Sequence, residues 1–183
     1  MILDTCTIDG PIGPLKLMAH GDALVACEFA GRGDRSGMEA RRLERHMGGF
    51  TTRAAADPAG AATRLARYFA GDLAALAEQP VEMHGTEFQV AIWSALREIP
   101  AGTTWTYSQI AAHIGRPAAV RAAGAANGAN PIAVFVPCHR VIAADRTLWG
   151  YGGGLERKRW LLLHEGAAFA DRYAQEELLA RAK

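Results

Sequence analysis

Glycine and proline punctuate the second half of this chain so closely that it can fold there only as short helices joined by tight turns. Thr86 and Gln89 have the T-x-x-Q form of a capping box, and behind them Phe88, Ile92, Ala95, Leu96 and Ile99 follow the helical repeat. Pro100-Ala101-Gly102 ends that helix. Residues 108–113 form a second, with Gly115 at its C′ position. Pro117 reads as the first-turn proline of a third, over about 118–127. Two short helices joined by Gly115-Arg116-Pro117 resemble a helix-turn-helix, although a plain corner between two helices has the same pattern.

Further on, 132–136 is a short apolar run between Pro131 and Pro137, read as a buried strand-like segment that delivers the next residues to a fixed place. Tyr151-Gly152-Gly153-Gly154 must be a loop, and 155–165 is a helix closed by Gly166. The first half reads differently. Residues 15–18 and 24–29 flank the turn signal His20-Gly21-Asp22 and predict a hairpin. A polar loop over 31–37 follows, then helices over 38–47 and 61–70. Residues 80–85 have no clear period. The division expected is therefore 1–84 as an N-terminal α/β unit, 85–166 as a mostly helical unit, and 167–183 as a tail with room for one more helix.

Composition narrows the classes. Half the 183 residues are hydrophobic and about a fifth are charged, which fits a soluble globular protein. No apolar run approaches the ~18 residues of a membrane span, and the first residues lack a signal peptide's basic and apolar regions, so a cytoplasmic address is expected. Cys6, Cys27 and Cys138 are an odd set without CxxC spacing, which suits a reducing compartment. Net charge is only +1, but between Ala101 and Glu165 seven basic residues stand against three acidic ones. That excess is compatible with a polyanionic partner and does not by itself require one.

The segment most informative about chemistry is Pro137-Cys138-His139-Arg140-Val141. A thiol reacts as its thiolate, and an ordinary value of about 8.5 leaves little of that at neutral pH, so a nearby base is needed. His139 is the candidate base. Neighbours on an extended chain point apart, so the proton would pass through a water, with Glu165 orienting the imidazole as the third member of a triad. A cysteine packed in the core beside a surface histidine is an equal reading of these five residues.

The pentad resembles the active-site signature of the O6-alkylguanine-DNA alkyltransferases, the methylated-DNA–protein-cysteine methyltransferases, and in particular their bacterial Ogt-like branch. The resemblance runs from Gly85 to Gly166 without an evident gap. It includes Thr106-Tyr107-Ser108, the run from Arg121 to Asn127, Asn130-Pro131, Gly150 to Gly154, and Leu163-His164-Glu165-Gly166. The segment from Thr7 to Gly13 is also similar to that family's first strand and turn.

The resemblance implies an α+β fold: an N-terminal α/β domain with a small antiparallel sheet, then a mostly helical, winged-helix-like domain carrying the helix-turn-helix. It implies repair of double-stranded DNA by stoichiometric transfer of the alkyl group from O6-alkylguanine, and from O4-alkylthymine, to the protein's own cysteine. The target base lies inside the duplex, so it must first be flipped out, at a cost of a few kcal/mol. Cys138 would be the acceptor, His139 its base through a water, and Glu165 the end of the relay. Tyr107 would protonate N3 of the departing guanine. Arg121 would enter the base stack, and Asn130 would tie the recognition helix to the active-site turn. Ala122, Ala125, Ala126 and Gly128 would let that helix lie in the minor groove. Val141, Trp149, Tyr151 and Gly152, with Tyr107, would form the pocket.

Each role has a plainer rival: a core tyrosine at 107, a solvated arginine at 121, tight helix packing for the small residues, and a turn asparagine at 130. A thioether has no easy leaving route, so one turnover per molecule and no cofactor are expected, from a monomer able to sit beside others on DNA. Departures from the relatives fall at 143–146, where Arg146 occupies a common turn-glycine position, and at Trp149, where a small or polar residue is usual. Some relatives hold zinc in the N-terminal domain. Of those ligand positions only His20 has a ligating type here and Val25 fills another, and the spacing of Cys6, Cys27, His20 and His84 does not suit a site, so no metal is expected. The rival functions are a non-catalytic lesion binder, which would lack the thiol, a cysteine hydrolase, which would turn over, and a helix-turn-helix regulator, which would select sequence.

Overall fold

The computed structural model describes residues 1–30 and 38–171. The polar loop expected over 31–37 and any terminal helix beyond 171 lie outside the described residues. The chain forms β1 (Ile2–Ile8), β2 (Leu15–His20), β3 (Ala23–Phe29), α1 (Met38–Met47), β4 (Thr51–Ala54), α2 (Ala61–Phe69), α3 (Glu87–Arg97), β5 (Trp105–Thr106), α4 (Tyr107–His113), α5 (Val120–Gly128), β6 (Val141–Ile142) and α6 (Leu155–His164).

The expected hairpin is β2–β3, within a four-stranded sheet ordered β3-β2-β1-β4. The sheet is mixed rather than antiparallel, because β4 pairs parallel with β1. The reason is the connection: the chain leaves β3, passes through α1 and returns running the same way, as a strand–helix–strand crossover requires. The alternation of β2 and β3 buries both faces. Leu15, Leu17 and Leu24 join the main core, whereas Met18, Val25 and Ala26 pack with Leu3 and with Leu43 of α1. The main core runs through both halves of the chain, from the sheet and Leu65 and Tyr68 of α2 to Trp93 and Leu96 of α3 and Leu161 of α6.

The unpatterned segment 80–85 is tied to the sheet edge, with Leu24 N donating to Pro80 O and Glu82 N donating to Leu24 O. The expected capping box is present, with Thr86 and Gln89 each bonding the other's backbone. A second one, unforeseen, starts α4: Thr106 accepts from Gln109 N, and the Gln109 side chain accepts from Thr106 N. Gly115 does close α4. Its φ is +72°, its N–H bonds Ala112 O, and Arg116 N bonds Ala111 O.

Two further expectations change. Pro117 does not open α5. It sits second in a turn closed by Ala119 N to Arg116 O, a favoured proline position, and the helix starts at Val120. Residues 132–136 are a tight loop, not a strand. Val136 N returns to Ile132 O, Phe135 N returns to Ala133 O, and Val134 holds a left-handed φ of +72°. Cys27 of β3 clamps the loop by donating to Pro131 O and accepting from Ala133 N. With prolines at both ends lacking an N–H, the segment satisfies its polar groups locally rather than in a ladder.

The parallel pair β5–β6 is two residues long, Trp105 opposite Val141 and Thr106 opposite Ile142. It fixes the site, because β5 leads directly into Tyr107 and β6 follows directly from Cys138–Arg140. Thr106 therefore both pairs with β6 and caps α4. Replacing it with alanine is expected to lower the unfolding free energy by about 1 kcal/mol, measured by denaturant titration. No loss of stability would mean that the second capping box is idle.

Candidate active site

The tight loop ends in a 3₁₀ turn over Cys138–Arg140, so the acceptor pentad is not extended, as the sequence reading assumed. Cys138 N bonds Val136 O, and Asn127 of α5 donates to Cys138 O at 3.3 Å. Asn130 braces the loop from both sides, its amide donating to Val136 O at 2.7 Å and its side-chain oxygen accepting from Ile132 N at 3.0 Å. It thereby links the end of α5 to the cysteine turn.

The thiol is only 6 % exposed. Burial pushes the Cys138 thiol up. Asn130, the Lys158 ammonium, the turn's own backbone and Tyr151 partly offset that. In the free protein the sulfur thus rests protonated, and its activation requires a base rather than a standing thiolate. Lys158 is fully buried and donates to Val141 O at 2.7 Å and Trp149 O at 2.9 Å. Burial lowers its ammonium to about 8. Tyr151 buries a hydroxyl that makes no hydrogen bond of ordinary geometry and lies beside the sulfur, and burial raises it well above the usual phenol range.

The base is built around Glu165, at the end of α6 and 4 % exposed. His139 Nε2 lies 2.9 Å from Glu165 Oε1. Arg140 grips both oxygens, Nε on Oε2 and Nη2 on Oε1, each at 2.9 Å, and its Nη1 donates to Ile99 O. Tyr68 of α2 donates to Oε1 at 2.8 Å. Burial pushes the Glu165 carboxyl up, but His139 and Arg140 more than reverse this and hold it well below the usual carboxylate range. An ionised Glu165 only accepts, so His139 Nε2 carries the proton. Burial also lowers the imidazole, despite the carboxylate beside it. His139 is therefore neutral, with a bare Nδ1 that is buried and has no hydrogen-bond partner among the described residues. That nitrogen can accept a proton.

A cavity of about 950 Å³ is lined by Tyr107, Ser108, Val120, Leu148, Trp149 and their neighbours, and Cys138, His139 and Arg140 are not in its wall. Tyr107 O–H reaches Trp149 O at 3.4 Å, and burial raises the hydroxyl. Its ring passes Gly124 of α5, where a Cβ would lie 3.6 Å away. Of the five expected pocket residues, Tyr107 and Trp149 line this cavity, Trp149 with 70 % exposure at its edge. Val141, Tyr151 and Gly152 are not in its wall. Val141 is fully buried, and Tyr151 faces the sulfur.

On α5, Arg121, Ala122, Ala125 and Gly128 are exposed along one side. Ala126 is not: it is buried, and its carbonyl accepts from Trp93 Nε1 at 2.9 Å, because it lies on the core side of the helix with Ala123 and Asn127. Arg42 of α1 stacks on the Trp93 ring and donates to Ala129 O at the end of α5. Arg146 adopts φ +64°, the left-handed geometry that suits a turn glycine, and its guanidinium donates to Ala168 O.

His20 and His84 each approach a different oxygen of Glu82, at 3.2 and 3.1 Å. Among the described residues no group of three or more ligating side chains is placed to hold a metal ion. No described helix is long and apolar enough to cross a membrane.

Sequence reasoning missed Arg140, Lys158, Asn127 and Tyr68. Lys158 had a signal, since it shares the helical face of Leu155, Leu161 and Leu162 and so had to be buried. Tyr68 had none, because its partner is 97 residues away.

Residues 87–167 match the family described as 6-O-methylguanine DNA methyltransferase, DNA binding domain. The chain is 47% identical over 157 residues to the methylated-DNA–protein-cysteine methyltransferase of Salmonella typhimurium, covering 85% of this chain and 91% of that protein. It is 46% identical to the Mycobacterium bovis protein of the same name, covering 90% and 94%. The crystal structure of Mycobacterium tuberculosis OGT in complex with DNA superposes with a TM-score of 0.73 at 42% identity, over 91% of this chain and 93% of that one.

The two buried groups set a pH dependence of stability. His139 is depressed, so below its unfolded value of about 6.5 the unfolded chain takes up a proton that the folded chain refuses. Glu165 is depressed too, so its contribution is present above about 4.3 and is lost as pH falls further. Unfolding free energy measured between pH 7 and pH 2 should fall in two stages, and His139→Gln should remove the upper one. Stability that is flat or rising on acidification would contradict this arrangement.

Proposed function

The chain belongs to the methylated-DNA–protein-cysteine methyltransferases, and from that premise we propose how its own residues carry out the reaction. It repairs DNA by taking the alkyl group from O6-alkylguanine onto itself. The reading rests on one juxtaposition: the β5–β6 ladder sets Tyr107 beside a turn in which a buried thiol precedes a neutral, carboxylate-held imidazole.

The duplex lies against α5 in its minor groove, where Ala122, Ala125 and Gly128 present no bulk to the backbone. Ala126 contributes from the core side by fixing the helix on Trp93. Arg121, exposed at the start of α5, fills the stack left by the flipped nucleotide and offsets its lost stacking. The base enters the cavity between Tyr107 and Trp149, which is large enough to admit it. Tyr151, beside the sulfur, with Gly152 and the buried Val141, flanks the acceptor outside that cavity.

His139 Nδ1 takes the Cys138 proton through a bridging water, and Glu165, held in place by Arg140, stabilises the resulting imidazolium. Lys158 and Asn130 stabilise the thiolate, which forms only when it is needed. The sulfur attacks the alkyl carbon, and the bond to O6 breaks with its electron pair passing to guanine. Tyr107 protonates N3 and makes guanine the better leaving group. The imidazolium then returns its proton through solvent to the Tyr107 oxygen, so that sulfur has lost one proton, guanine has gained one, and both side chains are restored. The thioether left on Cys138 has no way back, so each molecule acts once. Asn130, bonded to the loop between α5 and the turn, passes the helix's docking to the acceptor. We assign residues 85–166 to the DNA-binding and acceptor unit, 1–84 to the N-terminal unit and 167–183 to the tail. Three free cysteines fit work in the reducing cytoplasm.

The test is to incubate the protein with excess duplex carrying O6-methylguanine and map the product by peptide mass. One methyl per protein, on Cys138, is expected, and none in Cys138→Ala. Continued turnover, or methyl on another residue, would overturn the reading.

A further inference from the structure

The N-terminal half reaches into the relay through one atom. Tyr68, on α2, is fully buried, and its hydroxyl donates to Glu165 Oε1. That same oxygen also accepts from His139 Nε2 and Arg140 Nη2. An sp² carboxylate oxygen has two lone-pair directions, so three donors on Oε1 share its electron density. Among the described residues, Oε2 accepts from Arg140 Nε. The tyrosine is therefore on the oxygen that faces the imidazole. Its own position is fixed: its carbonyl accepts from His164 Nε2 at 2.8 Å, and its ring packs edge-on against the His164 ring.

Resting on the reading of Cys138, His139 and Glu165 above, we propose that Tyr68 is a positioning residue of the acceptor site. Its hydroxyl holds Glu165 Oε1 in place for His139 and draws charge from it, so that the imidazole stays neutral and free to take the thiol proton. Without that donor, Oε1 becomes a stronger acceptor toward His139, and the imidazolium is favoured before the sulfur has given up its proton. The other charged and titratable groups around the pair are Arg140 from the same turn, Lys158 from α6, and Cys138 and Tyr151 on the sulfur side. Tyr68→Phe leaves all of these in place. The arrangement also lets one side chain of α2 tune the base, although α2 lies outside the DNA-binding half.

The experiment is the single-turnover rate of methyl transfer from O6-methylguanine duplex, followed from pH 5 to pH 9 on the full chain. Tyr68→Phe should move the acid limb to higher pH by about half a unit to one unit, the size of one lost hydrogen bond. The alkaline plateau should change less than about twofold, a margin set by the unchanged sulfur environment. Leu65→Ala, which weakens α2 packing but keeps the hydroxyl, should lower stability and leave the limb where it was. If Tyr68→Phe folds poorly, 3-fluorotyrosine at position 68, a stronger donor of the same shape, should move the limb the opposite way. Wild-type transfer with an unmoved limb in the phenylalanine or fluorotyrosine protein would overturn the proposal for Tyr68. Absence of transfer in the wild type would instead overturn the reaction itself.

Discussion

A single buried carboxylate organises this molecule. Glu165 sits at the end of α6 and collects His139 and Arg140 from the acceptor turn and Tyr68 from α2, three elements distant in sequence. Burying a charge is expensive unless it is paired and fully hydrogen-bonded, and here the bidentate arginine supplies both. Removing one member of such a group leaves an uncompensated buried charge and typically costs about 3–5 kcal/mol. The local backbone is shaped to allow it. Gly102 lies so close that a Cβ there would meet the Glu165 carbonyl at 3.0 Å, and its φ of +79° already disfavours other residues.

The same economy of parts governs the sulfur. Burial alone would disable Cys138, since it raises the thiol and leaves it protonated. What makes the thiol useful is that its proton has somewhere to go and that its charge, once formed, meets Lys158 and Asn130. Trp149 contributes its carbonyl as much as its ring, since that carbonyl receives both Lys158 and Tyr107. The rim of the cavity is thus tied to the group that stabilises the thiolate and to the group that protonates the leaving base.

How much of this was legible in advance follows from range. Helix ends were readable because their signals are local: Thr86 with Gln89, and Gly115 closing α4, act within a few residues. The loop at 132–136 misled because apolar β-branched residues between prolines fit a strand, while the left-handed Val134 and the clamp from Cys27 are tertiary facts. Ala126 was assigned to the outer face by composition, but the helix's rotation is set by Trp93, 33 residues earlier. The residues of the pentad were prominent in the sequence, yet the role of Arg140 within it depends on where α6 ends. Tyr68 could not be singled out, because nothing near it in the chain reveals what its hydroxyl meets.

The central claim is that Glu165 fixes His139 as a neutral imidazole with its proton on Nε2. Nitrogen-15 NMR of ring-labelled histidine, with His139 assigned by substitution, reads this directly. The expected spectrum is that of the Nε2-protonated neutral ring, with Nδ1 bare at pH 7 and titration below the ordinary histidine value of about 6.5. A ring protonated on Nδ1, or one that titrates as an ordinary solvent-exposed histidine does, would contradict the account.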